Sequence, residues 1–152
     1  MFIGKEMLMI NTIVVATDGS EAAMRAVEYS TQLAKKFNAK IEIVSVIQYS
    51  TVAYHDGSQI FYASMTDSLT KLASDNLSKA ASVVEPAGVP FDTHIFKGDA
   101  RFVVLVNEVI ENYNPDLIVM GKTGTTVLTR MFIGSTARYV SERADTNVLL
   151  VK

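Results

Sequence analysis

The chain has 152 residues, 49% of them hydrophobic and 20% charged, a size typical of one domain and a charged fraction below the usual quarter. Fourteen Lys+Arg against sixteen Asp+Glu give a net charge of −2, so no basic excess exists to hold a phosphate backbone, and nucleic acid is excluded as a partner class. Cysteine is absent, which excludes disulfides, thiol chemistry and zinc knuckles; the low charge points to apolar surface used against a partner.

Residues 1–10 are apolar in places but are broken by Lys5 and Glu6. They lack the unbroken apolar run and small-residue cleavage site of a secretory signal, and no stretch reaches the ~20 apolar residues of a membrane span. The expectation is a cytoplasmic protein without a membrane partner: a short extension at 1–10 and one domain at 11–152. Met9 offers an alternative translation start.

The short apolar run Ile13-Val14-Val15-Ala16 suits a strand buried on both faces. From Ser20 to Phe37, Ala23, Ala26, Val27, Leu33, Ala34 and Phe37 share one helical face, with Ser20 as cap and Asn38 as stop. Ile41 to Ile47 predicts a second strand. Gln48 to Ser64 has no clear period and reads as a long loop, with Tyr49, Tyr54, Phe61 and Tyr62 forming either a lid or a loop packed on its own domain. Leu69, Leu72, Ala73, Leu77, Ala80, Ala81 and Val84 make a second helical stripe, closed by Pro86 and Gly88.

Phe91 to Phe96 predicts a third, more polar strand. A helix over about Ala100 to Asn112 follows, capped by Asp99 and stopped at Asn114-Pro115. Its Phe102 to Val106 run is apolar nearly all round, predicting burial on more than one side. Leu117 to Met120 is the fourth strand, Ser135 to about Arg143 the last helix, and Val148 to Val151 the fifth strand. His55 and His94 have no acid clusters at ligand spacing in the sequence, and neither reads as a metal ligand or base.

Strands alternating with helices predict an α/β fold: a single-domain, open five-stranded parallel sheet with helices on both faces, in Rossmann-like or flavodoxin-like layers. The expected strand order is 3-2-1-4-5, which puts the topological switch point between strands one and four. Ligands of open α/β sheets bind there, at the carboxyl ends of the strands. Two polar, glycine-bearing segments meet at that place: Thr17-Asp18-Gly19-Ser20 and the loop from Gly121.

Met120 to Thr136 reads MGKTGTTVLTRMFIGST. Gly121 and Gly124 offer backbone angles closed to other residues and close approach to the main chain. Gly134-Ser135-Thr136 opens a helix whose free N–H groups favour an anion. Thr123, Thr125, Ser135 and Thr136 add hydroxyls, and Lys122 or Arg130 supplies positive charge. Gly121-Lys122-Thr123 is not a P-loop, because the required first glycine is Asp116. Asp18-Gly19-Ser20 likewise contains no dinucleotide fingerprint.

With these residues the chain resembles the universal stress proteins. Ile13 to Ser20, IVVATDGS, is similar to that family's opening strand and aspartate, and Pro115 to Gly121, PDLIVMG, to its fourth strand. Gly121, Gly124, Gly134 and Ser135 match G-x2-G-x9-G-[ST], the spacing of the ATP-binding branch. The resemblance covers Asn11 to Lys152, while the 48–64 segment has no counterpart and Asn147 stands where relatives often carry proline. It implies that Ala16, Thr17, Asp18 and Val46 line the adenine and ribose side, with Met120 and Gly121 near base and ribose. It implies that Gly124, Gly134, Ser135 and Thr136 hold the phosphates of ATP or another adenine nucleotide, with magnesium.

The last strand, 146–151 with its flank, is an apolar edge guarded only by Lys152, and an apolar edge invites pairing with a second copy. A homodimer through this strand is expected, as the family resemblance also implies. The expected function is that of an ATP-binding regulatory protein whose occupancy switches contacts with a protein partner. The alternatives are a slow ATP hydrolase or phosphoryl-transfer enzyme, for which no residue evidently orients a nucleophile, and a nucleotide-free interaction module.

Overall fold

The computed structural model describes residues 9–48, 59–98, 100–124 and 132–152, the side chains of 59–63 and 102 excepted. Its strands are β1 (Thr12–Ala16), β2 (Lys40–Gln48), β3 (Phe91–Gly98), β4 (Leu117–Gly121) and β5 (Asn147–Val151). They form one parallel sheet in the order β3-β2-β1-β4-β5, as the sequence predicted. The central register sets Ala16 beside both Val44 and Met120.

Helix α1 (Glu21–Phe37) starts where Ser20 Oγ accepts the Ala23 N–H at 3.2 Å, and it ends at Asn38 in the left-handed region (φ 58°). Both boundary residues were legible from the chemistry of caps. Helix α2 (Gln59–Val84) is longer than its apolar stripe. The segment 59–64, expected as part of a loop, belongs to this helix. No Gly or Pro interrupts 59–84, and Ser68 and Thr70 turn their hydroxyls onto the carbonyls of Ser64 and Thr66. These polar side chains satisfy themselves along the helix, while the consecutive apolar residues of 59–64 show no one-sided period. Of the expected lid residues, Phe61 and Tyr62 fall within α2; Tyr49 and Tyr54 lie outside the described residues, as do His55 and the expected cap Asp99.

Helix α3 runs through three segments: Arg101–Val104 as α-helix, Leu105–Val109 as a π-turn and Ile110–Tyr113 as α-helix. It stops at Asn114, also left-handed. Val104, Leu105 and Val109 are buried and Val106 half-buried, against both the sheet and the helix over Ser135–Arg143, while Val103 is exposed. Helix α4 (Ser135–Arg143) completes the set.

The alternation of strand side chains separates two cores. Ile13, Val15, Ile41, Ile43 and Val119 meet Ala26, Val27 and Ala34 of α1 and Leu77, Ala80 and Val84 of α2. Val14, Val44, Ile118 and Met120 meet Val104, Leu105 and Val109 of α3 and Ala137 and Val140 of α4. Full burial of each Val, Leu or Ile contributes ~1.5–3 kcal/mol, so the central strands are anchored from both sides. The chain leaving β1 therefore turns to one face as α1, and the chain leaving β4 turns to the other as α4. The strand ends open a crevice between them.

Candidate functional site

One wall of the crevice is the turn after β1. Thr17 N–H donates to the Val44 carbonyl at 2.9 Å, carrying the strand pairing one residue further. Thr17 Oγ1 accepts the Gly19 N–H at 3.2 Å, and Asp18 Oδ1 accepts the Ser20 N–H at 2.9 Å. Gly19 has φ +78°, a conformation that costs other residues strain. Asn76 of α2 braces this turn: it is 6% exposed, its Nδ2 donates to the Asp18 carbonyl at 3.1 Å, and it fills the space a Gly19 Cβ would need. Sequence reasoning missed Asn76. Its signal was a polar residue inside the apolar stripe of Ala73, Leu77 and Ala80.

The opposite wall is built after β4. A Cβ on Gly121 would lie 2.9 Å from backbone atoms of Ala22 and Ala23, so the end of β4 reaches the start of α1 only as glycine. Lys122 N–H donates to the Val151 carbonyl at 2.7 Å, and Gly134 N–H donates to the Lys122 carbonyl at 2.8 Å. This second bond closes the loop and brings the two parts of the glycine motif together. Gly124 and Gly134 do not sit at positive φ; among the described residues Gly19 and Gly88 do. Of the two reasons expected for Gly121 and Gly124, unusual backbone angles therefore fall away and close approach remains. A Cβ on Gly124 would come within 3.1 Å of Asp18 Oδ2.

Gly134 is the N-cap of α4 and provides no side-chain capping bond. A helix cannot satisfy its first-turn N–H groups internally, and Ser135, Thr136 and Ala137 of that turn line the crevice. The result is a cavity of about 240 Å³. On the β2–α3 side it is lined by Val44, Val46, Arg101 and Leu105, and on the β4–α4 side by Gly124, Gly134, Ser135, Thr136 and Ala137. Ala16, Thr17, Asp18, Ala23, Met120, Gly121, Lys122 and Thr123 complete it.

Ala16, Thr17, Asp18, Val46, Met120 to Gly124 and Gly134 to Thr136 all line this cavity, Gly19 and Ser20 do not, and Thr125 and Arg130 lie outside the described residues. Sequence reasoning missed Ala23, Val44, Arg101, Leu105 and Ala137. Val44 was recoverable as the same-face neighbour of Val46, since side chains alternate along a strand. Among the described residues no cluster of three or more His, Asp or Glu is placed to hold a metal, and no helix is long and apolar enough to cross a membrane.

Polar residues also gather near the amino ends of β2 and β3, on the same sheet face. Glu42, 5% exposed, lies 2.7 Å from Lys40 Nζ through Oε1 and 2.7 Å from His94 Nε2 through Oε2. Lys40 also reaches Asp92 at 2.7 Å, and Tyr113 lies against the His94 ring with centroids 4.7 Å apart. The hydrogen bond from Lys40 holds the Asp92 carboxyl below the usual range, while bonds to Asp92 and then Glu42 hold the Lys40 ammonium well above its own. Burial, and then the Glu42 charge, push the Tyr113 phenol up. His94 thus does have acidic company, brought by the neighbouring strand rather than by sequence spacing.

The architecture and the crevice define a doubly wound α/β domain with a cavity at its topological switch point. The universal stress protein family model matches residues 9–152, and the chain belongs to that family. A universal stress protein of Methanocaldococcus jannaschii is 32% identical over 145 residues, covering 92% of this chain and 81% of its own. Among solved structures, the universal stress protein UspA from Lactobacillus plantarum aligns with a TM-score of 0.83 at 26% identity, over 94% of this chain and 98% of its own. A universal stress protein in complex with cAMP aligns with a TM-score of 0.66 at 28% identity, over 94% of this chain and 97% of its own.

Proposed function

We propose that this is an ATP-binding regulatory protein that changes its contacts with a protein partner according to nucleotide occupancy. The observation that carries the reading is the convergence of the β1 turn and the closed glycine loop on one cavity, with uncapped helix N–H groups at one side and an apolar wall at the other. The cAMP complex of a relative supports an adenine nucleotide as the ligand class. Val44, Val46, Leu105 and Met120 suit a base, and Gly124, Gly134, Ser135 and Thr136 suit phosphates. Several charge-assisted bonds of ~1.5–3 kcal/mol each suffice for micromolar affinity, which needs about −8 kcal/mol.

Asp18 is the one carboxylate among the lining residues, and its Oδ1 is engaged in the turn to Ser20. Magnesium would enter with the phosphates, meeting Asp18 Oδ2 and the hydroxyls of Ser135 and Thr136. An acid committed to holding a turn is poorly suited to orient water, which favours binding over rapid hydrolysis. The β5 edge, with Val148, Leu149 and Leu150 only partly buried, supports a homodimer through this strand.

Calorimetric titration with ATP, ADP and AMP, with and without magnesium, tests the ligand. Micromolar binding by the wild type and its loss in Gly124→Val, at an unchanged unfolding temperature, is the expected result. Equal affinity in that variant overturns the role of the loop. Light scattering at tens of micromolar protein tests the dimer, and a monomeric mass overturns it.

A further inference from the structure

Asn76 is a buried polar residue in an apolar setting. It is 6% exposed on α2, beside Ala73 and Leu77, in a stripe whose Leu77, Ala80 and Val84 pack into the core with α1. A carboxamide in such a place costs stability unless its hydrogen bonds are made, and leucine, of nearly the same shape, would continue the stripe. What asparagine supplies lies outside the helix. Its Nδ2 donates to the Asp18 carbonyl at 3.1 Å, across 58 residues of sequence.

The turn it reaches is held from within by two bonds, Gly19 N–H to Thr17 Oγ1 and Ser20 N–H to Asp18 Oδ1. Those bonds fix the shape of the turn, and Asn76 anchors it to α2. The carboxamide lies against Gly19, where any Cβ would overlap it, and Gly19 holds φ +78° there. With Asp18 Oδ1 committed to Ser20, Oδ2 is left on the side of Gly124, whose Cβ would come within 3.1 Å of it. The seat of the turn thereby sets the gap between the two walls of the crevice. Asn76 itself does not line the cavity. Val44, Leu105 and Ala137 of the lining belong to the α3–α4 face of the sheet, whereas α2 packs on the other face.

We infer that Asn76 is a positioning residue of the site: from the opposite face of the sheet it seats the Asp18 turn against the glycine loop, and so controls ligand affinity without touching the ligand. This rests on the nucleotide reading above. The test is calorimetric titration of the full chain with ATP and AMP, set beside unfolding midpoints, for the wild type, Asn76→Leu and Val84→Ala. Asn76→Leu keeps the volume beside Gly19, and water can replace the lost bond at the half-buried Asp18. The midpoint should therefore move little while affinity for both ligands falls about tenfold. Val84→Ala, a core truncation at the far end of the same helix, should lower the midpoint and leave affinity unchanged. Amide exchange at Ser20, read by NMR without ligand, should quicken in Asn76→Leu alone. Wild-type affinity in Asn76→Leu overturns the inference, as does an affinity loss shared by Val84→Ala or one without faster exchange at Ser20. Should Asn76→Leu not fold, Asn76→Ala is read in the same way. If the wild type binds neither ligand, the nucleotide reading falls and this inference with it; if it binds both, the outcomes above bear on Asn76 alone.

Discussion

The two ends of the α3–α4 face of the sheet handle polar groups in opposite ways. Toward the amino ends of the strands, Lys40, Glu42, Asp92 and His94 satisfy one another across β2 and β3, and Tyr113 covers them. At the carboxyl ends, Gly134 leaves the α4 N–H groups uncapped, Gly124 brings no side chain, and Arg101 has no partner among the described residues. A saturated cluster stabilises a fold, whereas an open set of donors around a cavity is a site in need of a ligand. Polarity by itself did not distinguish the two ends; satisfaction did.

The largest expected effect breaks the open end. Gly124→Val puts branched bulk where a Cβ already comes within 3.1 Å of Asp18 Oδ2. Nucleotide affinity should fall by more than about a hundredfold, equivalent to ~2.7 kcal/mol, while the far-UV spectrum and unfolding midpoint stay unchanged. Gly121→Ala instead damages the scaffold, because its Cβ meets backbone of α1 at 2.9 Å. A loss of about 1–3 kcal/mol in denaturant unfolding is expected. Gly134→Ala is the matching control: at φ −59°, with the nearest atom 3.4 Å from its Cβ, it should leave stability within about 0.5 kcal/mol.

Lys40→Met tests the saturated end. It leaves the buried Glu42 with His94 alone, and a cost of about 1–3 kcal/mol is expected without change in nucleotide affinity. The pH dependence sharpens this. The Asp92 carboxyl titrates lower in the folded chain than in the unfolded one, so its contribution is present above about pH 4 and is lost as pH falls through the folded value. Lys40 titrates higher when folded, so its contribution is present below about pH 10 and is lost as pH rises through the folded value. Both limbs should flatten in Lys40→Met, read as unfolding free energy against pH.

The smallest effect lies outside both ends. Ser30 Oγ in α1 is the one buried side-chain polar atom without a hydrogen-bond partner among the described residues. Ser30→Ala should therefore raise stability, by up to about 1 kcal/mol. A decrease in unfolding midpoint would show that the hydroxyl has a partner after all.

Much of this molecule was legible from local chemistry. The caps Ser20 and Asn38, the stop at Asn114-Pro115 and the five apolar runs follow from the backbone preferences of single residues and from strand periodicity. Crossover handedness leaves few arrangements, and the order 3-2-1-4-5 expected among them predicted which two loops would meet. The helical residues 59–64 were not legible, since their sequence QIFYAS sets apolar residues consecutively and so shows no one-sided helical period.

What only the tertiary structure decided are contacts between segments far apart in sequence. Asn76 under the Asp18 turn, the Gly121 approach to α1, and the Glu42–His94 pair each join elements that no spacing rule connects. Arg101 belongs with them, since its place in the cavity depends on how α3 packs across the sheet. A sequence dictates which residues prefer a helix, a strand or a turn because those preferences are local. Which side chains share one cavity depends on how the completed elements are stacked, and that is settled by packing.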